Sequence, residues 1–126
     1  MSRTYSAEIS RYRMKELHPE YLRQVEELRR IPPILRFKEP RYITCCPFCG
    51  TYDELYGDVK VGSKRFFRNV KLTVSGYNVS GVRSRSTQEL VIVRCKACKA
   101  SIHPVAYLSP IVFVNEREIV RAILNS

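Results

Sequence analysis

Two short cysteine pairs constrain this chain more than anything else in it. Cys46 and Cys49 stand in the run Cys-Pro-Phe-Cys-Gly, and Cys95 and Cys98 in Cys-Lys-Ala-Cys-Lys. Four thiolates supplied as two Cys-x-x-Cys pairs meet the demand of a tetrahedral Zn²⁺ ion. The two-residue gap lets a tight turn aim both sulfurs of a pair at one point, and Gly50 can take the positive φ such a turn needs. A shared ion would tie together segments far apart in sequence. The chain has five cysteines, an odd number that argues against a closed disulfide framework. A redox dithiol would need one pair at the start of a helix and would leave the other unexplained.

The ligand set predicted is Cys46, Cys49, Cys95 and Cys98, holding one structural zinc ion. Cys45 precedes Cys46, so Cys45 with Cys49 is an alternative pair; the two-residue spacing favours Cys46. Cys45 is then a small buried hydrophobe, as free cysteines commonly are. His103, five residues after Cys98, is a further alternative ligand, while His18 beside Pro19 reads as a helix-start residue. The opening Met1-Ser2-Arg3-Thr4-Tyr5 is polar and no apolar leader core follows. That predicts an intracellular, reducing setting (cytoplasmic, nuclear or nucleoid), where paired cysteines favour metal over disulfide.

The chain of 126 residues carries a formal net charge of +10. Nearly all of the excess lies between Val59 and Lys99. Lys60, Lys64, Arg65, Arg68, Lys71, Arg83, Arg85, Arg94, Lys96 and Lys99 stand there against the single acid Glu89. Such a one-signed stretch predicts a polyanionic partner, nucleic acid first among them, either RNA or DNA. Lys96 and Lys99 also flank the second pair, where they offset the charge of a four-thiolate zinc centre. No apolar run approaches the ~20 residues of a membrane helix, so no membrane is expected.

Patterning divides the chain in three. Residues 1–33 read as a helical segment. Tyr5, Ile9 and Tyr12 recur at helical spacing, and a second helix starts at Pro19 with the stripe Tyr21, Leu22, Val25 and Leu28. Glu26 and Arg30 can pair along it, and Pro32-Pro33 ends it. Residues 34–114 read as a β domain. Ile34 to Tyr42 is an extended connection, and a strand follows within Tyr52 to Val61, with turns at Gly57 and Gly62. Val70, Leu72 and Val74 alternate with polar residues as a half-buried strand. A bulge at Ser75-Gly76 accounts for the later change of parity. Ser80 to Ser86 reads as a loop, Leu90 to Val93 as the return strand, and Ile102 to Val114 as strand-like. Residues 115–126 read as a C-terminal helix, capped by Asn115 with Glu118 at the capping-box position, which packs on the domain or on a partner.

Two cysteine knuckles, each leading into β-structure, make residues 43–108 resemble the zinc-ribbon superfamily. The matching residues are Cys46-Pro47-Phe48-Cys49-Gly50 and Cys95-Lys96-Ala97-Cys98. The resemblance implies an α+β fold: a small β-rich zinc ribbon with an extended basic hairpin, flanked by N-terminal helices and a short C-terminal helix. The stretch from Gly50 to Arg94 exceeds a minimal ribbon, so an elongated or extra hairpin is expected. A treble clef would want the second pair to open a helix, and Ser101 to Val105 reads against that.

No enzyme is expected. All four ligand positions are cysteines, which leaves no vertex for an activated water, and neither a phosphate loop nor a Ser/His/Asp signature is present. Asp53 and Glu54 are adjacent and would point to opposite faces of a strand. The predicted nucleic-acid-binding residues are Lys60, Lys64, Arg65, Phe66, Arg68, Lys71, Tyr77, Arg83 and Arg85. Lys and Arg would meet phosphates and an exposed ring would stack on an unpaired base, although strand alternation predicts that Phe66 or Phe67 enters the core. The expected function is a non-catalytic ribbon that binds nucleic acid within a larger nucleoprotein complex (ribosomal, transcriptional, replicative or viral). The alternative is a zinc-stabilised adaptor whose terminal helices dock other protein subunits.

Overall fold

A computed structural model describes residues 17–62, 66–80, 87–108 and 113–124. Over these the chain is α+β, built on a four-stranded antiparallel sheet with strand order β2-β1-β3-β4. The strands are β1 (Leu55–Val61), β2 (Phe67–Lys71), β3 (Gln88–Cys95) and β4 (Ser101–Ile102). Four helices accompany them: α1 (Pro19–Arg29), α2 (Pro33–Lys38), α3 (Val105–Leu108) and α4 (Glu116–Leu124). Among the described residues, no helix is long and apolar enough to cross a membrane.

Helix α1 forms where its start signals lie. Pro19 occupies the first turn, and His18 Nδ1 accepts the Glu20 N–H at 3.1 Å. Tyr21, Val25 and Leu28 are buried at helical spacing, and Leu22 is half-buried. Each such fully buried side chain contributes ~1.5–3 kcal/mol of burial free energy. Arg23 pairs with Glu20 and Glu27, and Glu26 lies 4.0 Å from Arg29 rather than pairing with Arg30. The N-terminal helix expected around Tyr5, Ile9 and Tyr12 lies outside the described residues.

Several local expectations fail for identifiable reasons. Pro32-Pro33 ends α1, but Pro33 also opens α2, where an extended connection was expected. A proline suits the first turn of a helix as well as it ends one. Gly57 sits mid-strand rather than at a turn: a Cβ there would meet Leu90 Cδ1 at 2.4 Å, so its bare backbone lets Leu90 and Leu72 close over β1. Strand β2 stops at Lys71. Leu72 turns into the core, while Val74 is exposed in a tight turn, Thr73 to Gly76, which replaces the expected bulge. The irregularity lies instead between β1 and β3, where Val91 is the extra residue between the Asp58–Ile92 and Val59–Leu90 pairs. After β4 the chain turns into α3, not a longer strand. His103 Nδ1 accepts the Val105 N–H at 3.1 Å and so caps α3.

One apolar core joins every layer. Tyr21 and Val25 from α1, Ile43, Leu55 and Val59 from β1, Leu72, Val93 from β3, Ile102, Tyr107 from α3, and Ile119 and Ile123 from α4 all belong to it. Helix α4 carries its expected cap: Asn115 Oδ1 accepts the Glu118 N–H at 3.0 Å, and the Glu118 carboxylate accepts the Val114 N–H at 2.8 Å. Tyr107 stacks on Tyr42 at 5.0 Å between ring centroids and donates its hydroxyl to Thr73 O at 2.7 Å. These contacts fix the turn after β2 against the core.

Candidate metal centre and basic sheet face

The two cysteine knuckles are built alike. In the first, Gly50 N–H donates to Cys46 O at 3.0 Å and Cys46 N–H to Thr51 O at 3.0 Å. In the second, Lys99 N–H donates to Cys95 O at 2.9 Å and Cys95 N–H to Ala100 O at 3.0 Å. Each turn closes on a left-handed residue, Gly50 at φ +74° and Lys99 at φ +64°. Phe48 N–H and Cys49 N–H point at Cys46 Sγ, at 3.4 and 3.5 Å. The equivalent amides of Ala97 and Cys98 bond Cys95.

Strand β1 leaves the first knuckle and β3 enters the second. Leu55 stands opposite Cys95 in their register, so pairing these strands brings the knuckles together. The four sulfurs of Cys46, Cys49, Cys95 and Cys98 lie within 4.8 Å of one another. Cys46 Sγ is 3.7 Å from Cys98 Sγ, and Cys49 Sγ is 3.6 Å from Cys95 Sγ. Both distances far exceed a disulfide bond. They match the ~3.8 Å edge of a tetrahedron whose centre lies ~2.3 Å from each sulfur, the bond length of zinc thiolates. The donor set and its spacing therefore fit one thiophilic metal ion.

Burial pushes the Cys46 and Cys95 thiols up. Burial also opposes the Cys49 thiolate, but hydrogen bonds from Thr51 and the neighbouring sulfurs outweigh it and hold this thiol at about 7. A dication would reverse the burial penalty, since a coordinating thiol is deprotonated outright. Cys45 is fully buried, its Sγ 3.5 Å from Gly50 O, and burial pushes its thiol up to about 11. It stands apart from the cluster. Both histidines are engaged as helix caps, His18 on α1 and His103 on α3.

Helix α1 buttresses the first knuckle. His18 N–H donates to Pro47 O at 2.7 Å, and Tyr52 bonds Glu20, with Gln24 donating to its hydroxyl. The His18 ring packs on Gly50, where an added Cβ would lie 2.5 Å from it. Gly50→Ala is therefore expected to cost ~2–3 kcal/mol, the sum of left-handed strain and a displaced N-cap. Lys99→Gly has the opposite sign, with an expected gain of ~0.5–1 kcal/mol after the entropy of glycine is subtracted. Urea midpoints of the two variants, moving in opposite directions, check both.

The sheet's outer face lies beside the cysteines. Leu55, Gly57, Val59 and Val61 turn inward, which sends Tyr56, Asp58 and Lys60 outward. Tyr56 stands opposite Lys71 on β2 and Arg94 on β3, and Lys60 stands opposite Phe67 and Glu89. The Lys96 ammonium sits over the Tyr56 ring, 3.9 Å from its centroid. Asp58 is answered by Arg94 at 2.7 Å and by Asn69 at 2.9 Å. Of the predicted nucleic-acid residues, Lys60 and Lys71 share this face, with Phe66 and Arg68 at its edge. Phe66 is 43 % and Phe67 52 % exposed, so neither ring enters the core. Both faces of the edge strand β2 are largely exposed, so alternation there does not decide burial. Tyr77 is half-buried against the core. Lys64, Arg65, Arg83 and Arg85 lie outside the described residues. Tyr56 was not predicted, Arg94 and Lys96 were expected only as members of the basic stretch, and Phe67 as a ring that either stacks or enters the core; the alternation of Leu55, Val59 and Val61 would have placed Tyr56 outward had Gly57 not been read as a turn.

Compared with protein-family models, with curated proteins and with solved structures, the chain finds no match.

Proposed function

We propose that this chain is a non-catalytic zinc-ribbon protein that binds nucleic acid through its basic sheet face and serves within a larger nucleoprotein assembly. Cys46, Cys49, Cys95 and Cys98 would hold one Zn²⁺, which supplies a crosslink and no reactive vertex. The observation that carries the binding role is the outer face itself. Lys60, Lys71 and Lys96 surround Tyr56 and Phe67 there, against two acids, Asp58, which is paired with Arg94, and Glu89, which stands opposite Lys60. Cations set among aromatic rings can meet phosphates and base faces together.

Fluorescence anisotropy with generic RNA and DNA oligonucleotides tests this. Zinc-loaded protein is expected to bind both, with affinity falling linearly on a log–log plot between ~50 and 200 mM salt. Substituting Lys60, Lys71 and Lys96 together by alanine is expected to reduce that slope by ~2, since each lost phosphate contact removes ~0.7–0.9.

A second reading has one observation behind it. Ile34 and Leu35 on α2 are 70 % and 53 % exposed, an apolar pair suited to docking a protein subunit. If the zinc-loaded protein binds no nucleic acid at ~50 mM salt, where phosphate contacts are strong, the adaptor role takes precedence.

A further inference from the structure

We infer that the groove along the free edge of β2 takes a single unpaired strand of nucleic acid, with Phe67 as the platform on which a base stacks. The inference rests on the nucleic-acid reading above and narrows it. The sheet order leaves β2 at an edge, paired with β1 on one side only. The segment Thr73–Ser80 runs beside the open side, and a groove of ~490 Å³ lies between them. Arg68 and Lys71 line it with positive charge, Asn69 and Asn78 with carboxamides, and Tyr77 with a ring; among the described residues no carboxylate lines it. Those are the three contacts a nucleotide uses, with cations for phosphate, amides for base edges and rings for base faces.

The rings at the start of β2 are not equivalent. The Arg68 guanidinium lies over Phe66, 4.6 Å from its centroid, so one face of that ring is already taken by a cation. Tyr56 is covered in the same way by Lys96. Phe67 lies outside the groove's lining, next in the chain to Arg68, which lines it; it is half exposed and stands opposite Lys60 in the β1 register, so a base on the ring would have its phosphate within the reach of an ammonium. A duplex cannot use this arrangement. Its bases are stacked on one another and present no free face to Phe67. An extended acidic peptide added to the β2 edge would satisfy the cations but has no planar group to set on Phe67.

Anisotropy with a labelled oligo(dT), an oligo(U) and a blunt duplex of equal length, using the zinc-loaded chain of 126 residues, tests the inference. Both single strands are expected to bind at least roughly tenfold more tightly than the duplex. Phe67→Ala is expected to weaken single-strand binding ~5- to 150-fold, the range for one lost stacking contact, and to leave duplex binding unchanged. Phe67→Trp should restore it. The residue is exposed, so the variants should keep the wild-type melting temperature. Equal affinity for duplex, an unaltered Phe67→Ala, or displacement of oligo(dT) by oligoglutamate of equal charge would each overturn the groove assignment while leaving salt-dependent binding intact. Absence of binding to every oligonucleotide would remove the nucleic-acid reading along with it.

Discussion

Stripping the metal from the zinc-loaded protein with a strong chelator is expected to abolish its cooperative thermal transition and its near-ultraviolet tyrosine signal. The reason lies in how the two knuckles meet. Cys46 and Cys95 are fully buried members of the core, and with Cys49 and Cys98 they face one another where β1–β3 pairing brings two distant segments of the chain together. Without a cation, burial pushes the Cys46 and Cys95 thiols up, and nothing links the four sulfurs packed within 4.8 Å of one another. Structural zinc contributes ~10–16 kcal/mol in small modules, comparable to or larger than the ~5–15 kcal/mol net stability of an ordinary domain. Cys49→Ser should lose the ion and the transition together. Cys45→Ala should keep both, with a loss of ~1 kcal/mol typical of a small core truncation. Native mass spectrometry is expected to show one zinc per chain in the wild type and in Cys45→Ala, and none in Cys49→Ser. Because the ligands bind as thiolates, retention should weaken as pH falls. A melt unaltered by complete removal of metal would refute the structural role.

The contrast between Cys45 and Cys46 shows which features were legible. Knuckle chemistry is local: spacing, a following left-handed residue and amides aimed at sulfur all lie within six residues. The same holds for the caps, His18 before Pro19 and Asn115 with Glu118, whose partners are two or three positions away. Features decided by distant neighbours were not legible. Helix α2 turns Ile34 and Leu35 outward, so it shows no amphipathic stripe. Helix α3 is four residues of Val, Ala, Tyr and Leu, held by a histidine cap and by Tyr107 stacking on Tyr42. Gly57 resembles a turn glycine until Leu90 and Leu72 are seen to need its space. The run Leu90 to Val93 conceals its own extra residue, because four apolar side chains in a row carry no parity. The exposure of Phe66 and Phe67 follows from β2 lying at the sheet edge, a fact of strand order that no local pattern contains.

Tyr21→Ala is expected to be the most damaging single change outside the cysteines, at ~3–5 kcal/mol. Tyr21 has no exposed surface, and its ring lies in the core near Cys45 and Cys46 of the first knuckle. Its hydroxyl donates to Ala106 O at 3.1 Å, tying α1 to α3 across the core. Burial pushes that hydroxyl far above its usual range, so it remains a neutral donor at every pH the fold survives. Tyr21→Phe keeps the packing and loses only the bond, with an expected cost of ~1–2 kcal/mol. The difference between the two variants in urea melts separates ring from hydroxyl. A consequence reaches the metal as well. Helix α1 holds the first knuckle through His18 and Pro47, so Tyr21→Ala should release zinc to a chelator faster than Tyr21→Phe at equal temperature. Equal release rates in the two variants would mean that the knuckle stands without the helix, and that the cysteines alone set its shape.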